Sequence, residues 1–250
     1  MIPTWSRLSY TNDEPAHVAA GMEWLAHGRY TYEEQHPPLS RIAAASGPYL
    51  LGVRPLDHES MWNEGRALMH DSPLPVERVV AAARAGMLPF LILAIFVVWH
   101  LGTVVWAPAV GGVAAFLLAT TPVFLGHAGL ATTDIAAAGT LLLAVWLLLR
   151  FLEKPRLGRA CAAGAGMAVA VMAKLTALIY LGAATVTLLG ALLVRGGLVS
   201  RWRAAAPTVR DVLRIGGALA VVTLLVIWGT YRFSLRPLAN PSDAPFEGID

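Results

Sequence analysis

The polar segment Thr11-Asn12-Asp13-Glu14-Pro15-Ala16-His17 places two adjacent carboxylates and an imidazole near the start of a chain that is otherwise strongly apolar. A carboxylate can act as a general base that removes the proton from an attacking hydroxyl group. The same segment could instead stabilise a helix start, with Asn12 or Asp13 as the cap and the acidic side chains near the helix N-terminus. Both interpretations stay open from the local pattern, and Asp13 and Glu14 are our first candidate catalytic residues.

A further carboxylate, Asp134, opens an apolar segment at Ala131-Thr132-Thr133-Asp134 and is the only acidic residue between Arg84 and Arg150. Ionisable residues in membrane segments tend to be functional, although Asp134 could also merely cap a helix. We name Asp134 as a third candidate catalytic residue. We expect its carboxylate to converge with that of Asp13 on one face of the membrane, and these two acids are the only candidates for binding a divalent metal.

Four further side chains are candidates for binding a substrate: His17, His36, His127 and Lys174. Lys174 stands at a short turn between apolar segments, where it could snorkel to the membrane surface or supply a point charge to a lipid phosphate. His36 precedes two prolines, which restrict the backbone just before a predicted helix. The histidines have no metal-binding spacing such as HExxH, so each is either a polar contact at the membrane surface or a contact to substrate.

The chain that must position these residues has 250 residues, of which 56% are hydrophobic and 14% are charged, and its mean hydropathy is +0.59. Soluble domains carry about 25% charged residues, so the composition indicates an integral membrane protein. No basic stripe with interleaved aromatic residues is present, and we expect no nucleic-acid partner. The fold class predicted from this composition is an all-α polytopic membrane protein.

One span needs about 20 apolar residues, and the apolar segments predict about six transmembrane helices. We place them at 83–101, 108–126, 129–149, 159–173, 175–194 and 213–231, with a tight hairpin near 101–108. The fourth span is short and rich in glycine (Gly158, Gly164 and Gly166), which favours close packing between helices in lipid.

Residues 1–78 are polar and precede the predicted bundle of residues 79–231 and a tail of residues 232–250. Within 1–78, apolar periodicity and helix-start signals predict helices over 15–26 and 39–51. Residues 52–77 are expected to be irregular apart from a short helix over 59–69. Short amphipathic helices beside membrane spans are expected to lie in the membrane interface.

Basic residues cluster in two of the loops between the predicted spans, and an excess of lysine and arginine marks the cytoplasmic side. These residues are Arg150, Lys154, Arg156, Arg159, Arg195, Arg201, Arg203, Arg210 and Arg214. The acidic loop 1–78 and the tail then lie on the outer face of a multi-pass protein, which we expect in a bacterial inner (plasma) membrane. Because no signal peptide or span precedes the polar loop, we expect a further span upstream, and we expect the tail to be truncated.

Taken in order, these motifs resemble the membrane-embedded GT-C glycosyltransferases, in particular the protein O-mannosyltransferase-like and aminoarabinose-transferase-like branch. The matching pieces are Thr11 to His17, His36-Pro37-Pro38-Leu39, Ala131 to Asp134, and Gly166 through Lys174-Leu175-Thr176. Because members of this family usually have a span before the acidic motif and several more after the equivalent of residue 250, the chain resembles their N-terminal part.

The resemblance implies a glycosyltransferase that moves a sugar from a polyprenyl-phosphate carrier to an acceptor hydroxyl on a protein, lipid or glycan. It implies inverting transfer at the outer face of the membrane, with Asp13 as base, Glu14 beside it, Asp134 as a second acid and Lys174 near the carrier phosphate. No cofactor is implied with certainty, and a divalent metal stays open. The expected partners are the lipid-linked donor, membrane lipid and an unidentified acceptor.

Two other functions remain alternatives. A transporter or flippase subunit for a lipid-linked solute would use Asp134 and Lys174 as intramembrane charges, but the chain lacks the internal repeat common in such proteins. The second alternative is a non-catalytic scaffold or a remnant of the enzyme, which would retain the membrane helices but catalyse no reaction.

Overall fold

The computed structural model describes residues 5, 7–33, 35–194 and 208–235, and over these ranges the chain is helical without a β-strand. The helices are α1 (Asp13–His27), α2 (Leu39–Leu50), α3 (Met61–His70), α4 (Val76–Ala85), α5 (Leu88–Val105), α6 (Pro108–Thr120), α7 (Pro122–Ala128), α8 (Thr133–Glu153), α9 (Leu157–Ala173), α10 (Ala177–Val194) and α11 (Val209–Thr230). The predicted all-α fold is confirmed. Arg195, Arg201 and Arg203 and residues 236–250 of the predicted tail lie outside the described ranges.

The first four helices form a cluster in which α1 packs against α2 and α3, and α2 packs against α4. The helices α1 and α2 can approach closely because Gly21 has no side chain. A Cβ atom at Gly21 would lie 1.9 Å from the carbonyl oxygen of Arg41. The apolar residues Val18 and Met22 of α1 are buried in this cluster, so the apolar face of α1 packs against protein.

The predicted helices 15–26, 39–51 and 59–69 are all present as α1, α2 and α3. The expected cap by Asn12 or Asp13 is wrong, because Asp13 is already the first residue of α1, and Asn12, in the capping position, makes no capping hydrogen bond and has a helical rather than an extended backbone. The extended conformation of a capping residue is what aims its side chain at the helix amides. The carboxylate of Glu14 instead reaches back and accepts a hydrogen bond from the Thr11 amide at 2.8 Å.

Four helical segments of the described chain are long and apolar enough to cross a membrane: Val76–Val105, which combines α4 and α5, Thr133–Glu153, Ala177–Val194 and Val209–Thr230. The predicted hairpin near 101–108 is present, since α5 ends at Val105 and α6 begins at Pro108. The helix α9 is apolar but has 17 residues, so it is shorter than a typical span of about 20 residues.

The predicted span 108–126 is bent, and this departs from a single straight helix. The helices α6 and α7 meet at an angle of 65°, and together they are long and apolar enough for a fifth span. The bend follows from Pro122, because the residue before a proline is driven out of the helical region and proline provides no amide hydrogen. Thr121 has the expected extended backbone, with φ −64° and ψ 122°.

The short helix α9 packs between α8 and α11, and its glycines permit this contact. A Cβ at Gly164 would lie 2.5 Å from the Leu219 carbonyl oxygen, and a Cβ at Gly166 would lie 2.7 Å from Leu147. A Cβ at Gly158 would meet no atom of another described element within 4 Å, so two of the three predicted packing glycines make close contacts in the described part of the chain.

Candidate functional site

Three of the predicted site residues come together at one end of the helical bundle. The ammonium group of Lys174, which follows α9, donates a hydrogen bond of 2.6 Å to Asp134 Oδ1 in the first turn of α8. His127 Nδ1, in α7, lies 3.2 Å from Asp134 Oδ2. The side chains of Lys174 and Asp134 are 28% and 40% exposed, so the pair is held in place yet open to a ligand.

The segment after the His36-Pro37-Pro38-Leu39 motif lies beside this pair. Ser40, at the start of α2, donates a buried hydrogen bond of 2.7 Å from its hydroxyl to the carbonyl oxygen of Ala173, the last residue of α9. Lys174 is the next residue in the chain. The proline motif and the lysine, which are about 135 residues apart in sequence, are therefore neighbours in space.

The carboxylate of Glu14 is buried, with 1% of the residue exposed, and it is saturated with hydrogen bonds. Arg84 Nε donates to one of its oxygens and Arg84 Nη2 to the other, both at 2.9 Å. The amides of Ala131 and Thr11 add one hydrogen bond each, both of 2.8 Å. Burial alone would raise the pKa of Glu14, but these hydrogen bonds and the Arg84 charge outweigh burial and hold the pKa below its usual value.

Asp13 and Glu14 thus have different surroundings although they are adjacent. Asp13 is exposed, and no hydrogen bond to its carboxylate is found within the described ranges. The bond from the Ala131 amide to Glu14 fixes the start of α1 beside the turn that leads to Asp134. The Glu14 carboxylate is thus engaged by the protein itself, whereas that of Asp13 is exposed, and the catalytic roles of both stay predictions.

A second polar group surrounds His36. Arg41 is completely buried, and its Nη2 donates to Glu33 Oε2 at 3.2 Å. His36 Nδ1 lies 3.3 Å from the other oxygen of Glu33. Burial would raise the pKa of Glu33, but the charge of Arg41, the proximity of His36 and the Gln35 amide together lower it.

His17 belongs to the same polar group, because Arg41, Glu33 and His36 all influence its protonation. Burial, assisted by the positive charge of Arg41, lowers the pKa of His17 from 6.5 to about 4, so its imidazole is neutral at pH 7. Two buried nitrogens here, His17 Nδ1 and Arg41 Nε, have no hydrogen-bond partner within the described part of the chain. Buried polar atoms are nearly always paired, so this group is suited to hold a polar part of a ligand or water.

The sequence interpretation missed the buried charges, above all Arg41 and Arg84. A signal was available, because each arginine lies on the apolar side of its helix. Arg41 is four residues before Ala45, and Arg84 is four residues after Val80 and three before Met87, all of which are buried. A charged residue on a buried stripe indicates an internal ion pair.

No group of three or more His, Cys, Asp or Glu side chains that could hold a metal ion occurs in the part of the chain that the structure describes. The two oxygens of Asp134, one of the two metal candidates, face Lys174 and His127. Asp13, the other candidate for binding a metal, belongs to no such group among the described residues.

Comparison with known families matches residues 80–228, more than half of the chain, to the family described as dolichyl-phosphate-mannose-protein mannosyltransferase. No curated protein and no solved structure matches the chain. The matched range contains His127, Asp134 and Lys174, and it begins after Asp13 and the other predicted site residues of the first polar region.

Proposed function

Since the chain belongs to the dolichyl-phosphate-mannose-protein mannosyltransferase family of membrane glycosyltransferases, we propose that it transfers a sugar from a polyprenyl-phosphate carrier to an acceptor hydroxyl group at the outer face of the membrane. The observation that carries this proposal is the half-open pair of Lys174 and Asp134. The ammonium group of Lys174 lies 2.6 Å from the Asp134 carboxylate, three residues after Ala131, whose amide donates a hydrogen bond to Glu14 of α1. The family match supports this enzyme over the transporter and scaffold alternatives.

Lys174 would bind the phosphate of the donor. The donor is a phosphodiester with one negative charge, and cleavage of the bond between the anomeric carbon and the phosphate oxygen leaves a polyprenyl phosphate with two. A fixed ammonium group near the leaving oxygen stabilises the added charge most in the transition state. Asp134 would hold the ammonium group in place, and His127 would bind the donor beside it.

Asp13 would act as the general base. The acceptor oxygen attacks the anomeric carbon from the side opposite to the phosphate, Asp13 takes the hydroxyl proton, and the sugar configuration inverts. The exposure of Asp13 beside the anchored Glu14 supports this role, since a base must be reachable by an acceptor in water. The unpaired nitrogens of His17 and Arg41, with His36, would contact polar groups of the donor.

The placement at the outer face rests on the two ends of α8. This helix carries Asp134 in its first turn and Arg150 in its last, and Lys154 follows directly. Basic residues favour the cytoplasmic side, so the opposite end, with Asp134, would be outside. A site at the end of the bundle suits a donor whose phosphate lies at the membrane surface and whose tail lies in lipid.

The test compares wild-type protein with Asp13→Asn in membranes supplied with polyprenyl-phosphate donors that carry different sugars. The transfer rate of the variant should be at least about 100-fold lower than that of wild type, as expected for loss of a general base, while membrane insertion is unchanged. Asp71→Asn is the matched control, because Asp71 is also an exposed acid next to a helix of the first polar region. Transfer by Asp13→Asn at nearly the wild-type rate would refute the assignment.

A further inference from the structure

Arg84 uses every hydrogen of its guanidinium group. Its Nε and one Nη2 hydrogen reach the two oxygens of Glu14, both at 2.9 Å. The second Nη2 hydrogen reaches the Ser9 carbonyl at 3.0 Å, and Nη1 donates to the carbonyls of Trp5 at 2.9 Å and Leu8 at 3.2 Å. Arginine has five N–H donors in a fixed planar fork, and all five are satisfied here with the residue completely buried.

The Glu14–Arg84 pair therefore joins four parts of the chain. Arg84 lies near the end of α4, and it donates hydrogen bonds to the carbonyl oxygens of Trp5, Leu8 and Ser9. Glu14 lies in the first turn of α1, and the Ala131 amide, in the turn between α7 and α8, donates to it. Asp134 follows Ala131 by three residues, in the first turn of α8, and its carboxylate accepts the hydrogen bond from Lys174.

A buried ion pair is weak evidence for stability, because the cost of removing two charges from water offsets much of their attraction. The pair instead fixes geometry, because the planar guanidinium group of Arg84 and the planar carboxylate of Glu14 form their two parallel hydrogen bonds in one relative orientation. Neighbouring residues in a helix are rotated by about 100°, so fixing Glu14 inward also fixes the direction of Asp13, which faces outward.

We propose that Glu14 and Arg84 are positioning residues, which hold the carboxylate of Asp13 in register with the Asp134–Lys174 pair. This inference rests on the proposed function, because it assigns the pair a role in the transfer reaction. Neither residue is expected to touch the substrate. Their effect would appear in the chemical step, while donor binding at Lys174 would be unaffected.

The test uses Arg84→Lys, which keeps the charge but has three donors on one atom, so it cannot replace the bonds to both Glu14 oxygens and to the carbonyls of Trp5, Leu8 and Ser9. The expected result is a fall in kcat for sugar transfer of about 10- to 100-fold, as for a catalytic group misplaced by about 1 Å. The KM for the donor should change by less than about 2-fold, because the Lys174 site is intact. Arg78→Lys, in the same helix but exposed, is the control and should behave as wild type.

A second readout does not depend on activity. Hydrogen exchange of the backbone amides in 9–14 and 129–133 reports whether the junction is intact, since the amides of Thr11 and Ala131 donate to Glu14. Both regions should exchange faster in Arg84→Lys than in wild type, while the interior of α8 is unchanged. Glu14→Gln keeps the side-chain size but presents an amide donor to Arg84, and it should give the same pattern.

Lower kcat, unchanged donor KM and faster exchange at the junction would support the proposal. Wild-type kcat despite a loosened junction would overturn it, because the pair would then serve only the fold. A lower kcat with unchanged hydrogen exchange at the junction would also overturn it. So would a donor KM that rises by as much as kcat falls. If wild-type protein transfers no sugar from any donor, the proposed function fails, and unchanged exchange in both variants would separately refute the junction itself.

Discussion

Replacing Lys174 with methionine removes the cation from the site and keeps an unbranched side chain that is one atom shorter. We expect this change to lower kcat/KM for the donor, mostly through kcat, because the leaving phosphate gains a negative charge as the sugar departs. The ammonium group of Lys174 is the donor to Asp134 at 2.6 Å. After the change, Asp134 retains only the contact of 3.2 Å with His127.

The size of the expected loss in kcat/KM depends on how exposed the Lys174–Asp134 pair is. Two unit charges about 4 Å apart near a protein surface interact by about 4 kcal/mol. Lys174 is already paired with Asp134 and its side chain is 28% exposed, so only part of that energy is available to the phosphate. The net value of a charged hydrogen bond, about 1.5–3 kcal/mol, corresponds to a loss of about 10- to 150-fold in kcat/KM.

The assay measures initial transfer rates over a range of donor concentrations in membranes with matched amounts of protein. Lys154→Met is the control, because Lys154 is the only other lysine in the chain and follows the opposite end of α8 from Asp134. It should have wild-type kinetics. A Lys174→Met variant whose kcat/KM stays within about 2-fold of wild type would refute the assignment of Lys174 to the phosphate.

Two further predictions concern stability. The pKa of His17 is about 4 in the folded protein against an ordinary 6.5, so the unfolded chain takes up a proton first as the pH falls, and stability should decrease from about pH 6.5 to 4. The loss attributable to His17 is at most about 3 kcal/mol, and His17→Gln should lessen it in unfolding midpoints measured across that range; an unchanged pH dependence would contradict this. Gly21→Ala would place a methyl group 1.9 Å from the Arg41 carbonyl oxygen and should destabilise the protein by about 1–3 kcal/mol. Gly112→Ala is the control and should not destabilise it, because a Cβ there would meet nothing within 4 Å among the described residues. Equal melting temperatures for the two variants would contradict the packing of α1 on α2.

The all-helical membrane fold could be predicted because apolar segments of sufficient length have few other stable forms. The proximity of Asp134 and Lys174 is consistent with the predicted spans, since both residues stand at span ends on one side. The bend between α6 and α7 has a local signal in Pro122, whose effect on the preceding residue is steric. Its angle of 65° depends on packing that the local sequence does not encode.

Local patterns could indicate that Arg41 and Arg84 are buried, but they could not identify the partners in the internal ion pairs. Glu14 resembles a residue that stabilises a helix start, and its buried state depends on Arg84, which is 70 residues away. Glu33 and Arg41 are only eight residues apart, and their pair joins the loop between α1 and α2 to the first turn of α2, a loop conformation that helical periodicity does not specify. Long-range partners decide whether an acidic side chain is buried or exposed, so the local pattern alone could not tell the surroundings of Asp13 and Glu14 apart.

The most direct test of the central claim uses a polyprenyl-phosphate sugar that carries one isotope in the sugar and another in the phosphate. Membranes containing the protein should pass the sugar label to the acceptor, while the phosphate label stays in lipid as polyprenyl phosphate in equal amount. This result would establish cleavage between the anomeric carbon and the phosphate oxygen. Movement of both labels together across the membrane would contradict the account and indicate transport of the intact donor instead.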